Sequence, residues 1–187
     1  MQRYVVYLRG INVGGKNKIK MANLRACLTE AGFEQVKTYI QSGNIVLRSA
    51  LSVTATAERI EKMMVENLEL DSERIKVVVL DIQLYQTIMK EVPQEFDLIS
   101  EIDYRYDILF LRGVSAAEVM KEVEARVGID QVWQGKEAIY YRRPGPKNPD
   151  YTKSALSRIV RKPIYQSITM RNWNTAKKMY ELLTKDE

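Results

Sequence analysis

Histidine is absent from the 187 residues, and cysteine occurs once, at Cys27. Without an imidazole there is no Ser-His or Cys-His nucleophile pair and no His-ligated metal, and a single thiol forms neither an internal disulfide nor a cysteine zinc site. Long apolar runs are missing as well. None approaches the roughly 18 residues needed to cross a bilayer, and residues 4–8, which follow Met1, Gln2 and Arg3, are too short for the core of a signal peptide. The expectation is a soluble cytoplasmic protein with no membrane partner and no metal site. The charge excess is small, 29 Lys and Arg against 24 Asp and Glu, and over the whole chain it does not imply a nucleic-acid partner. What is present is apolar: 45% of the residues, enough to bury the core of one ordinary domain or two small ones and to exclude intrinsic disorder.

The apolar residues fall into a recognisable order. Residues 3–8 are rich in aromatic and β-branched residues, stop at Gly10 and read as a buried strand. Met21, Leu24, Leu28 and Ala31 recur at helical spacing, with Gly32 just past the C-terminus. Residues 36–40 and 45–47 read as strands joined by the tight connection Gln41, Ser42, Gly43, Asn44. Val53, Ala57, Ile60, Met64 and Leu68 make a second amphipathic helix, and residues 75–80 a β-branched strand. This is the βαββαβ order of a ferredoxin-like unit. A further helix carries Tyr85, Ile88, Met89 and Val92 and ends at Pro93.

Residues 93–105, within a stretch that holds six acids against Arg105 alone between 91 and 107, read as an acidic linker between units 1–92 and 106–187. Beyond it the order repeats. A strand at 106–111 precedes a helix opened by the Ser115 and Glu118 capping box and carrying Ala116, Met120, Val123 and Val127. A hairpin turns at Gly135 and Lys136, a helix carries Leu156, Ile159 and Val160, a short strand spans 168–170, and a C-terminal helix bears Trp173, Ala176, Tyr180 and Leu183. Leu8, Arg9, Gly10 is echoed by Leu111, Arg112, Gly113. The fold class expected is therefore α+β, two tandem ferredoxin-like βαββαβ units plus a C-terminal helix, against the alternative of one doubly wound parallel sheet. Val5, Tyr7, Leu24, Leu28, Ile60, Met64, Leu109, Leu111, Met120 and Leu156 are the expected core.

The two halves differ in the connection after their first strand: the second passes from Gly113 straight to Ser115, whereas the first runs from Gly10 through Lys20. Long glycine-rich loops in compact domains are more often binding loops than spacers. Arg9, Gly10, Asn12, Gly14, Gly15, Lys16 and Asn17 are the candidate ligand residues, because close backbone approach plus positive charge suits a phosphorylated small molecule or nucleotide. The other reading is a loop that wraps a neighbour and leaves its lysines solvated. Gly10, Gly15 and Lys16 also fit a Walker A pattern, with residues 77–80 and Asp81 imitating Walker B. Asn17 stands where the magnesium-binding hydroxyl belongs, so a P-loop NTPase is the weaker expectation.

Residues 142–178 contain ten bases and one acid, Asp150. With interleaved tyrosines they make a nucleic-acid-binding module the alternative function, Arg158, Arg161 and Lys162 being its candidate contacts. A solvated or internally paired basic surface explains the same composition. No catalytic residue and no cofactor follow from the sequence.

Residues 8–17 (LRGINVGGKN), 38–47 (TYIQSGNIVL) and 169–175 (TMRNWNT) closely resemble the signature stretches of an uncharacterised bacterial domain-of-unknown-function family. The resemblance implies a small cytoplasmic α+β protein without an established activity, and it nominates Gln41, Ser42, Asn44, Arg171 and Asn174 as a second candidate surface. The turn at 41–44 is read as emerging at the opposite end of its sheet from the loop after the first strand, in which case the two stretches form separate sites.

Overall fold

The computed structural model describes residues 1–71, 75–98 and 100–185. They form two compact units, Met1–Tyr85 with Lys178–Glu187, and Gln86–Lys177.

The first unit contains β1 (Gln2–Arg9), α1 (Met21–Glu30), β2 (Glu34–Tyr39), β3 (Asn44–Ser49), α2 (Val53–Asn67), β4 (Lys76–Asp81) and the start of α3 (Ile82–Lys90). Its sheet has the order β2-β3-β1-β4 and every pairing is antiparallel. Residues 4–8 are buried in succession because both faces of β1 are covered. Tyr4, Val6 and Leu8 join Leu24, Leu28, Ile60 and Met64 in one core. On the other face the Tyr7 and Tyr85 hydroxyls share a buried hydrogen bond of 2.6 Å, and the Tyr85 ring stacks on Tyr180.

The second unit contains β5 (Tyr104–Leu111), α4 (Ala116–Glu122), β6 (Gln131–Gln134), β7 (Ala138–Pro144), β8 (Ile168–Asn172) and the start of α5 (Trp173–Thr184). Its order is β6-β7-β5-β8, again antiparallel throughout. Both sheets thus place their strands in one order, with the first strand central. The glycine after that strand has positive φ in each, +88° at Gly10 and +69° at Gly113. A helix follows the last strand of each sheet, α3 after β4 and α5 after β8, so the C-terminal helix belongs to the repeated pattern. The doubly wound parallel sheet is overturned. Of the acidic segment 93–105, Gln94–Asp97 forms a 3-10 turn whose Phe96 is buried within 4.8–6.1 Å of the Tyr106, Trp133, Trp173 and Tyr140 rings.

Local expectations differ at two places. The helix opened by the Ser115 capping box stops at Glu122, and Val127 is exposed. The Glu122 carbonyl accepts from the Lys162 ammonium and the Glu124 carbonyl from the Tyr141 hydroxyl, so neither continues the helical ladder. Val119 points into the core, leaving Met120 and Leu111 half-buried beside it. Residues 151–167 form three 3-10 turns instead of one helix. Pro163 holds Lys162 extended at φ −90°, ψ 144°, which ends the turn carrying Leu156 and Ile159 and leaves Val160 exposed.

Candidate functional site

The loop after β1 is itself a small hairpin. The Lys16 amide donates to the Val13 carbonyl at 3.1 Å across Gly14 and Gly15, whose φ values of +60° and +78° suit a tight turn that side-chain-bearing residues adopt at a cost. The three asparagines of the two nominated stretches build this structure. Asn12 donates from Nδ2 to the Ile19 and Gln41 carbonyls and accepts the Ile19 amide on Oδ1. Asn17, buried, donates from Nδ2 to the Gly10 carbonyl at 2.7 Å. Asn44, fully buried, donates to the Tyr39 carbonyl and the Ser42 hydroxyl. Asn12 and Asn17 also take positive φ, +51° and +46°, which asparagine tolerates better than most residues.

Loop and turn meet, contrary to the expectation that they occupy opposite ends. β2 and β1 both run antiparallel to β3, so their C-terminal ends lie at the same end of the sheet. Tyr7 is paired with Asn44, the Leu8 amide donates to the Gly43 carbonyl at 2.8 Å, and Asn12 bonds the Gln41 carbonyl at 2.8 Å. The outer surface of this joined structure carries Gly14, Gly15, Lys16, Lys18, Lys20, Gln41 and Ser42, all exposed, whereas Arg9 is half-buried. Among the described residues no ion pair involves Lys16, Lys18 or Lys20. Val13 and Ile40 are exposed at the same end, and Ile40 holds φ +48°, a strained value for a β-branched residue.

Asp71 is a part of this structure that sequence reasoning missed. Its Oδ2 accepts the Asn17 amide at 2.5 Å, and it lines an open cleft of about 600 Å3 with Gly15, Lys18, Glu69 and Leu70. No sequence signal links it to a loop 54 residues earlier. Replacing Asn12 by Ala is expected to cost about 1–2 kcal/mol in urea unfolding and to broaden the amide resonances of both loop and turn, because two bonds that close the loop on Ile19 and the one that ties it to Gln41 vanish together.

The Walker resemblance does not survive. Lys16 lies in the hairpin turn while α1 begins only at Met21, and β4 lies antiparallel to β1 where a P-loop needs a parallel sheet. The Asp81 carboxylate accepts the Leu84 amide at the start of α3, a capping role.

Arg171, Asn174 and residues 142–177 of the basic segment belong to the second unit. Arg171 donates to the Met170 carbonyl, and Asn174 is exposed. Arg158 pairs with Glu124 at 2.7 Å, and Lys162 with Glu124 at 3.2 Å and Glu122 at 3.4 Å; Arg161 is exposed. Hydrogen bonds from Arg158 and Lys162 hold the Glu124 carboxyl below its ordinary range, and the Glu124 partnership pushes the Lys162 ammonium up. Arg143 pairs with buried Asp107 at 2.6 Å, and Lys177 with Asp97 at 3.3 Å. With Lys153, which pairs with Asp150 at 2.6 Å, five bases of the segment face carboxylates of the second unit. Among the described residues no helix is long and apolar enough to cross a membrane.

The model of the family described as protein of unknown function DUF1697 matches residues 1–140. The chain belongs to that family. The DUF1697 match takes in the loop at 8–17 and the turn at 38–47, and stops before residues 169–175. A solved structure described as a conserved bacterial protein from Streptococcus pneumoniae is 30% identical, with a TM-score of 0.79 and 99% of each chain covered. No curated protein matches.

Proposed function

We propose that this DUF1697 protein is a cytoplasmic binding protein that takes a phosphorylated small molecule or nucleotide on the joined surface of the loop at 9–17 and the turn at 41–44. One observation carries the reading: the basic loop is held in shape by hydrogen bonds of its own. Its asparagine amides are engaged in internal bonds, and its glycine turn and three lysines, which make no ion pair among the described residues, stay on the outside. A preorganised site spares a ligand the ordering cost that a loose lysine-rich loop imposes. Residue roles divide accordingly. Asn12, Asn17 and Asn44 are structural, whereas Lys16, Lys18, the Gly14 and Gly15 backbone, Gln41 and Ser42 meet the ligand. Glu69 and Asp71 line the cleft beside Lys18 and repel anions there, so the phosphate approaches from the side of Lys16 and the turn.

Thermal unfolding against a panel of nucleotides and sugar phosphates tests this. A ligand present at 100 times its Kd adds about 2.7 kcal/mol, and Lys16→Ala combined with Lys18→Ala is expected to abolish that gain. These side chains are exposed, so the variant's unliganded midpoint stays near the parent's. A stabilising ligand whose effect survives both changes overturns the assignment.

A further inference from the structure

The second unit contains a strand edge that its own sheet leaves open. β7 accompanies β5 from Phe110 to its very start, with Tyr104 opposite Pro144, but β8 pairs only with Asp107–Leu111 before the chain turns into α5 at Trp173. In an antiparallel ladder successive residues alternate between bonding one neighbour and facing the other side. The Gly145 amide donates to the Asp103 carbonyl at 2.8 Å, so residue 103 faces β7. Tyr104 therefore faces away, consistent with its partner being a proline, which has no N–H to give. The backbone of Tyr104, and by the same alternation that of Tyr106, points to the side where β8 has ended.

A cleft of about 470 Å3 lies there, walled by residues 104–107 and 172–174, with Leu98 at its rim. Residues 172–174 belong to the third signature stretch, for which the loop site has no use. The lining carries one cation more than its carboxylates balance. Asp107 is buried against Arg143 at 2.6 Å, and Asp97 accepts from the Trp173 indole at 2.8 Å and from Lys177 at 3.3 Å. Arg105 is exposed, makes no ion pair among the described residues and only approaches the Tyr151 ring, at 5.8 Å. Leu98 is 64% exposed beside it.

From this geometry we infer that the notch binds a short extended peptide bearing a carboxylate, which adds as a strand segment along Tyr104 and Tyr106. The open edge supplies main-chain hydrogen bonds, Arg105 meets an acidic side chain, and Leu98 takes an apolar one from the next outward position, the usual division of labour in strand addition. A small free anion uses Arg105 alone and gains nothing from the strand edge.

The test is a titration of the isotope-labelled full chain with a blocked pentapeptide of alternating valine and aspartate, followed by amide resonances. Saturable shifts are expected at Tyr104 and Tyr106, with binding weakened by about tenfold or more in Arg105→Glu and by a comparable factor when the peptide backbone is N-methylated. Arg105 is exposed, so the spectrum of the variant outside the notch stays that of the parent and reports that it is folded. Absence of shifts at these two amides up to millimolar peptide overturns the proposal. So does equal binding by the N-methylated peptide or by Arg105→Glu, and so do the same shifts produced by inorganic phosphate alone.

Discussion

Gly43→Val is expected to destabilise the first unit by about 3 kcal/mol or more, and with it to remove any ligand response of the loop. Two costs add. Gly43 has φ +71°, a conformation that charges a β-branched residue about 1–3 kcal/mol. A Cβ there lies 2.7 Å from the Leu8 Cβ and 2.9 Å from the Ile11 Cδ1, and forcing atoms into a packed interior costs about 1–3 kcal/mol more. Leu8 and Ile11 are both buried and have nowhere to retreat. Gly15→Val is the control: its φ is +78°, yet nothing lies within 4 Å of the added Cβ, so only the backbone cost applies. Urea midpoints of the two variants separate the terms. If they lose equal stability, the turn does not pack on the loop as described, and the joined site falls with it.

The second unit is expected to lose about 2 kcal/mol of stability between pH 10 and pH 11. Tyr140 and Tyr141 are fully buried, and their hydroxyls donate to the Ile88 and Glu124 carbonyls at 2.6 and 2.8 Å. Burial, helped by Glu91 near Tyr140 and Asp130 near Tyr141, pushes both phenols well above their ordinary value near 10. In the unfolded chain the same groups lose their protons near pH 10, while the fold retains them. Their contribution is therefore complete well below pH 10 and falls as the pH rises through it, by about 1 kcal/mol for each tyrosine between pH 10 and 11 and by up to about 1.4 kcal/mol per pH unit beyond. Against a total of about 5–15 kcal/mol this is enough to move a urea midpoint visibly. The double variant Tyr140→Phe, Tyr141→Phe is expected to give a flatter pH profile while losing about 1 kcal/mol per hydrogen bond at pH 7. A parent protein whose midpoint is level from pH 8 to pH 11 refutes the role assigned to these hydroxyls.

The element order of both halves was readable because strands and helices write their periods into local sequence. The strand at 4–8 carries five apolar residues in succession, the Ser115 and Glu118 pair marks a helix start, and Gly10 and Gly113 mark equivalent strand ends. Where the reading missed, a distant partner decided in one case and a proline within the segment in the other. The helix at 116 ends early because Tyr141 and Lys162 capture its next carbonyls, and the segment at 151–167 breaks into 3-10 turns around Pro163. Charge density at 142–178 suggested an exposed basic groove, and the carboxylates facing Arg158 and Lys162 come from Glu122 and Glu124, more than thirty residues earlier.

The candidate site divides the same way. The sequence alone determined that the loop at 9–17 is glycine-rich, basic and longer than its counterpart, since composition and length are local properties. It also determined that imidazole chemistry is absent. Only the tertiary structure decided that this loop and the turn at 41–44 are one surface, that their asparagines are its internal struts and that Asp71 is among its partners. The reason is strand direction. Which end of a sheet a connection occupies depends on how β1, β2 and β3 pair, and pairing is settled by contacts between residues far apart in the chain.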